Sequence, residues 1–321
     1  MKIIGTGSAH PSFTLTNDML ATFLETSDEW IVSRTGIRQR QIITDEELKD
    51  LATAAARKAL DNAGVNPREL DFIICSNVVN EYVTPSLSSL IHADIDASCP
   101  CVDINAACTG FIYALQMAEA YQKAGMAKNI LIVCAEEPTR MVDWSDRRTC
   151  VLFGDGAGAV VVTEGDNLKA IKTTNTSITE VLVEKRVLEP TPYIKKEEIN
   201  KPLFMAGQEV FKNAVSSSAR DIKEVVAKSG LEIADIDCFL LHQANMRIVE
   251  FVAKMLDQDK EKFPHNVELY GNTSSASIPM LLDEMNSRGE LKDGQKLVLS
   301  AFGAGFTTGA CVLEWASTDK N

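Results

Sequence analysis

Two stretches of the chain carry the same order of apolar and polar positions. Ala63–Cys75 reads AGVNPRELDFIIC and Ser229–Leu241 reads SGLEIADIDCFLL, and the two align without a gap at an offset of 166 residues. In each, a helix stops at glycine, a short polar turn follows, and an aspartate opens an apolar strand. The parallel continues downstream. Asp103–Cys108 (DINAAC) precedes a helical run over Gly110–Lys123, and Val267–Asn272 (VELYGN) precedes one over Ile278–Ser287. Apolar runs at Asn129–Ala135 and Gln295–Ala301 predict one strand in each half. Two glycine-rich turns, Gly154–Gly158 and Gly303–Gly305, then feed closing strands at Ala159–Val162 and Ala310–Leu313.

This pattern predicts two similar α/β halves, 1–167 and 168–321, each a mixed sheet with helices packed on it. Further helices are expected at Gly207–Lys228 and Met246–Leu256. The stretch Val181–Lys201 is charged, contains proline and is weakly periodic, so it predicts a long excursion from the second half. On this alignment Cys108 and Asn272 hold equivalent places, each just ahead of a helix. Two halves packed face to face would bring such positions towards a common centre.

Composition narrows the class. The chain has 321 residues, 45% of them hydrophobic and 24% charged, which suits a soluble protein with a sizeable core. The net charge of −13 disfavours nonspecific binding to nucleic acid. The longest purely apolar stretch, Ile130–Ala135, is far short of a membrane span, and MKIIGTGSAHP lacks a signal-peptide pattern. A cytoplasmic protein is therefore expected. Eight cysteines are scattered through the chain, and Cys75, Cys134, Cys238 and Cys311 lie in apolar runs that suit buried free thiols. Cys99-Pro-Cys101 has no second pair or clustered histidines at zinc spacing, so no metal is expected.

Three residues carry candidate chemistry. Cys108, in NAACTGF, precedes a long helix, whose N-terminal dipole would lower the thiol pKa and favour a nucleophilic thiolate. Its other reading is a buried inert thiol. His242 ends the apolar strand Cys238–Leu241 and begins HQAN, which suits an active-site rim or a satisfied structural histidine. The other three histidines, His10, His92 and His265, read as structural or surface groups. Asn272, in YGNTSSAS, reads as an N-cap or as an amide donor to a developing oxyanion. Neither GDGAG nor FGAGF has the spacing of a phosphate loop or dinucleotide fingerprint.

Taken in order with their surroundings, Cys108, His242 and Asn272 resemble the Cys-His-Asn triad of the β-ketoacyl-acyl-carrier-protein synthase III family, condensing enzymes of the thiolase fold. TSDEWIVSRTGIRQR (Thr26–Arg40), DINAACTGF (Asp103–Phe111), DWSDRRTCVLFGDGAGA (Asp143–Ala159), MAGQEVFKNAV (Met205–Val215), LHQANMRI (Leu241–Ile248), YGNTSSASIP (Tyr270–Pro279) and FGAGFTTGA resemble family signatures in family order. The resemblance covers nearly the whole chain and is weakest at Val181–Lys201.

The resemblance implies a five-layered αβαβα fold, usually a homodimer, and a reaction in two halves. Cys108 would attack an acyl-CoA, releasing CoA. Malonyl-acyl carrier protein would then lose CO₂, and the resulting enolate would attack the acyl group. No permanently bound cofactor is implied; coenzyme A enters as the substrate thioester. His242 Nε2–H and the Asn272 amide would donate to the enolate oxygen, while the backbone N–H of Cys108 and one near Ala304 would hold the acyl oxyanion.

By the same resemblance, Trp30 and Arg147 would sandwich the adenine of CoA, Thr26 and Arg34 lie near the nucleotide, and Gly207, Phe211, Ala244 and Asn245 line the pantetheine tunnel. Lys212, Arg247 and Lys254 match the docking patch for an acidic carrier protein. Departures are Arg148 and Ala304 in place of common glycines, Thr308 in place of a common tryptophan, and Thr84 where a partner subunit's bulky aromatic often shapes the acyl pocket. Arg148 suggests a more crowded or more basic CoA mouth, and Thr84 a roomier pocket. Three rivals stay open: a relative that primes polyketides or other specialised products, a thiolase or hydroxymethylglutaryl-CoA synthase, and a noncatalytic acyl- or CoA-binding subunit. A thiolase would need a second cysteine within Phe302–Gly305, which holds none.

Overall fold

The computed structural model describes residues 1–185, 191–193 and 201–316. Its two main sheets repeat one design. In the first, Cys101–Ile104, Phe72–Ser76, Ile130–Glu136, Gly156–Thr163 and Lys2–Ala9 lie side by side, parallel over the first three and antiparallel over the rest. In the second, Cys238–Leu241, Lys296–Gly303, Gly305–Glu314 and Leu168–Ile178 follow the same order and senses. The second sheet lacks a counterpart of Cys101–Ile104. At the corresponding place the chain forms the four-residue helix Val267–Tyr270.

Alternation along the strands divides the core into layers, because successive side chains point to opposite faces. In the first sheet Ile74, Ile132 and Cys134 face inward, onto Phe111, Leu115 and Leu281. Ile73, Leu131 and Val133 face outward, onto Leu51, Ala55 and Ala59 of the helix Leu48–Ala63. In the second sheet Leu240, Leu297 and Leu299 join the same inner core. Phe239, Leu241 and Val298 pack outward on Ala219, Ile222 and Val252 of the helices Gly207–Lys228 and Met246–Leu256. The helices Gly110–Lys123 and Ser277–Ser287 fill the space between the sheets. The layers therefore run αβαβα.

Sequence and structure part company at two places. GDGAG is only partly a turn. Gly156 and Gly158 already belong to the closing strand, where a Cβ on Gly158 would come within 2.8 Å of the Met280 backbone nitrogen. Glycine there lets the helix Ser277–Ser287 lie against the sheet. The stretch Val181–Lys201 is tied to the second half by a small antiparallel pairing of Leu182–Val183 with Phe204–Met205; residues 186–190 and 194–200 lie outside the described residues. Among the described residues no helix is long and apolar enough to cross a membrane. The four cysteines expected to be buried free thiols are so.

Candidate active site

Both inner helices begin in a short 3-10 turn, Ala107–Thr109 in one half and Ser274–Ala276 in the other. Each turn opens on a residue with positive φ, Ala107 at 49° and Ser274 at 51°. An asparagine two residues earlier holds each turn. Asn105 Oδ1 accepts from Ala107 N at 3.1 Å, and Asn272 Oδ1 accepts from Ser274 N at 2.9 Å. The true counterparts are thus Asn105 with Asn272, and Cys108 with Ser275. The expected equivalence of Cys108 and Asn272 is out by three residues, because the fifth strand of one half is a short helix in the other.

Cys108, His242 and Asn272 nonetheless meet on the wall of one cavity of about 740 Å³. Each is fixed from behind. Asn272 is pinned by backbone bonds from its N to Leu152 O at 2.8 Å and from Gly154 N to its own O at 3.2 Å. His242 N donates to Ser300 O at 2.8 Å, and Phe302 meets the imidazole edge-on at 5.2 Å. Gly303, on the cavity wall, brings the closing turn against the Cys108 amide: a Cβ there would lie 2.7 Å from Cys108 N.

The electrostatics reverse one expectation. The helix start predicts a lowered thiol pKa. Instead, burial pushes the Cys108 thiol up to about 12, and nearby Glu136 adds to the rise. Desolvation is the largest cause, ahead of the hydrogen bond from Ser274 that lowers the value. Burial also pushes His242 down to about 3, so its imidazole is neutral throughout the physiological range. Its Nδ1 lies 2.8 Å from Ser277 Oγ, which accepts from Gln243 N at 3.3 Å. With that lone pair occupied, the Ser277 hydrogen is available to Nδ1. When Ser277 donates to Nδ1, the imidazole proton sits on Nε2, which is buried and finds no hydrogen-bond partner among the described residues.

Sequence reasoning missed the ground beneath the thiol. Ser274 Oγ donates to Cys108 Sγ at 3.4 Å and lies 3.2 Å from Glu136 Oε1. Ser275 Oγ donates to the same carboxylate oxygen at 2.5 Å, and Val78 N donates to Oε2 at 3.1 Å. Glu136 is almost fully buried, and desolvation raises its carboxyl to about 7. A charged residue ending the apolar run ILIVCAE was its only signal. Ser274, Ser275 and Ser277 stood inside YGNTSSAS without an assigned part.

The outer cavity gathers most of the other expected residues. Trp30, Arg34, Arg147, Gly207, Phe211, Ala244, Asn245 and Arg247 line it, as does Arg148. Thr26, Lys212, Lys254 and Thr84 do not. Arg34 and Arg147 lie over the Trp30 ring, with Cζ 4.4 and 4.9 Å from its centroid. A planar group between Trp30 and Arg147 needs two contact layers of about 3.5 Å each. Arg147, which also donates to Glu25 O, must therefore swing away for an adenine to enter. Arg148 adds little free positive charge, since its guanidinium is bonded to Asp146 at 2.9 and 3.0 Å. The Asn245 side chain is committed to the fold: Oδ1 caps the following helix through Arg247 N, and Nδ2 donates to Arg34 O.

A five-layered α/β fold with this triad on one cavity wall defines a condensing enzyme of the thiolase type. Comparisons narrow it. Residues 102–178 match the family model for 3-oxoacyl-[acyl-carrier-protein (ACP)] synthase III, and residues 226–315 match that for its C terminal. The chain is 42% identical over 320 residues to beta-ketoacyl-[acyl-carrier-protein] synthase III of Clostridium acetobutylicum, covering 98% of each. The crystal structure of 3-oxoacyl-[acyl-carrier-protein] synthase III from Aquifex aeolicus VF5 matches with a TM-score of 0.92 and 41% identity, over 98% of this chain and 99% of that one. That of the priming beta-ketosynthase from the R1128 polyketide biosynthetic pathway matches with a TM-score of 0.93 and 32% identity, over 99% and 97%. The chain belongs to the β-ketoacyl-acyl-carrier-protein synthase III family, acyltransferases that carry out the initiating condensation of fatty acid synthesis.

Proposed function

We propose that Cys108 takes an acyl group from an acyl-CoA, acetyl or a short or branched relative, and that the acyl-enzyme condenses with malonyl-acyl carrier protein. The observation that carries this reading is the shared cavity. One hollow runs past Trp30 and Arg147 and also past Cys108, His242 and Asn272. Thiolate attack makes one thioester from another, so acyl transfer is near balanced, with the amide of Cys108 and one from the Gly303–Ala304 turn holding the oxyanion. Loss of CO₂ then puts negative charge on the malonyl thioester oxygen. His242 Nε2–H and the Asn272 amide donate to it. A neutral imidazole suits this step, because it donates without first gaining a proton.

Carrier-protein docking falls to Lys212, Arg247 and Lys254, all exposed beside the outer helices. Arg247 bridges the two surfaces, since it lines the cavity and lies over Phe211 at 5.7 Å. A homodimer fits the strand Cys101–Ile104, whose outer edge pairs with no other strand among the described residues, and the exposed Tyr82 and Val83; the cytoplasm is the location that goes with this reading. In the dimer, Thr84 would help shape the partner's acyl pocket. The halves 1–167 and 168–321 are the units we assign to the nucleophile and to the donors. Incubating acyl-CoAs with malonyl-acyl carrier protein tests the reading: 3-oxoacyl-carrier protein, CoA and CO₂ are expected in equal amounts. Turnover only with a specialised carrier protein would favour the polyketide-priming reading, to which the R1128 likeness points.

A further inference from the structure

The thiol proton of Cys108 has to go somewhere before the sulfur can attack. His242 is poorly suited to take it. Its Nε2 must carry a hydrogen to serve as a donor in decarboxylation, and the buried ring resists a second proton. Among the described residues, the hydrogen bond that Cys108 Sγ makes is with Ser274 Oγ. That hydroxyl has one hydrogen and two claimants, Cys108 Sγ and Glu136 Oε1.

We propose that Glu136, acting through Ser274, is the proton acceptor that turns Cys108 into a thiolate. With the Ser274 hydrogen turned to Glu136 Oε1, the Cys108 S–H bond breaks and its proton passes to Ser274 Oγ. The Ser274 O–H bond breaks in concert and its proton passes to Glu136 Oε1. The neutral carboxyl then donates to Ser274, whose new hydrogen points at the thiolate. No net charge is created, since a buried carboxylate is exchanged for a buried thiolate. That balance matters where desolvation opposes a second anion. The carboxyl keeps the proton while Cys108 is acylated; the departing CoA thiolate takes its proton from solvent. When condensation expels Cys108 as a thiolate, the proton returns along the same path.

The surroundings suit this exchange. Ser275, held in turn by Ser76, and Val78 N keep the carboxyl in place. The titratable groups facing it are Cys108, Cys134 and Cys75, all thiols pushed upward, with Asp103 beyond Cys75. Among the described residues no cation is among the groups acting on it. The carboxyl's raised pKa, about 7, lets it accept a proton at neutral pH.

The inference rests on Cys108 as the nucleophile and His242 as a donor. Its test needs no acyl donor, so the two can fail separately. The rate of Cys108 alkylation by iodoacetamide is followed by intact mass across pH 5 to 10. In the wild type the rate rises through about pH 7, as the coupled pair loses its first proton, and then levels. In Glu136→Gln the plateau is lost, and the rate climbs about tenfold per pH unit throughout. Ser274→Ala keeps the carboxyl but loses the hydroxyl, and its plateau drops by about tenfold or more. Alanine fits that backbone, as Ala107 does at the matching point of the other half, so this variant decides the matter if Glu136→Gln does not fold. A plateau that survives both substitutions, or is lost only in His242→Gln, overturns the proposal.

Discussion

Asn105 and Asn272 form the same turn in opposite halves, each accepting from the backbone N–H two residues on. The doubled fold carries the turn in both halves, but of the two asparagines Asn272 lines the cavity and Asn105 does not. Its Oδ1 is spent on the turn and its Nδ2 is the group left for chemistry. Asn272→Asp keeps the acceptor and removes the donor. The expected result is a folded enzyme that still acylates, with condensation lowered by about a hundredfold or more. Acylation is read by intact mass and condensation by CO₂ release. Equal loss in both would deny Asn272 its separate role.

Ser277 Oγ is the hydrogen-bond partner of His242 Nδ1, at 2.8 Å. Ser277→Ala removes the partner of Nδ1, so the Nε2–H tautomer loses its support. Condensation should fall by about tenfold, the worth of a neutral hydrogen bond, while acylation is nearly unchanged. Single-turnover measurements of the two half-reactions check this, together with the nitrogen chemical shifts of His242.

Two guanidinium groups, those of Arg34 and Arg147, lie over the Trp30 ring. Trp30→Ala should raise KM for acyl-CoA by roughly three- to thirtyfold, the range of a cation–π contact. The rate with an acyl donor lacking the nucleotide, such as an acyl-pantetheine, should barely move. An equal loss with both donors would make Trp30 a packing residue only.

Glu136 is raised from 4.5 to about 7 in the folded protein. A carboxyl raised by folding contributes stability below its unfolded pKa, and that contribution is lost as pH rises through the folded value. Relative to Glu136→Gln, the wild type should therefore lose stability between about pH 4.5 and 7, by at most about 3 kcal/mol, and remain level above. Urea melts of both proteins across pH give the difference directly. A difference that does not change with pH would mean that Glu136 ionises normally.

Much of this molecule was legible because local pattern and tertiary structure agree. The helices Gly110–Lys123, Gly207–Lys228 and Met246–Leu256 begin and end where their periodicity does. The triad converges because each member ends a strand or starts a helix that the repeat had placed. The alignment slipped by three residues at Val267–Tyr270, a short helix where the first half has the strand Cys101–Ile104. Glu136 was hidden for a different reason. Its meaning comes from Ser274, 138 residues away, and no local spacing announces a contact across two halves. The thiol's raised pKa was hidden likewise, because a helix start is visible in sequence and burial depth is not.

The central claim is that Cys108 accepts an acyl group from CoA, and intact mass tests it most directly. The purified protein is incubated with acyl-CoAs from acetyl to long-chain, without malonyl-acyl carrier protein. The account predicts a gain of one acyl group in the wild type, none in Cys108→Ser, and retention in Asn272→Asp. No adduct with any acyl-CoA, or an adduct that persists in Cys108→Ser, would contradict it.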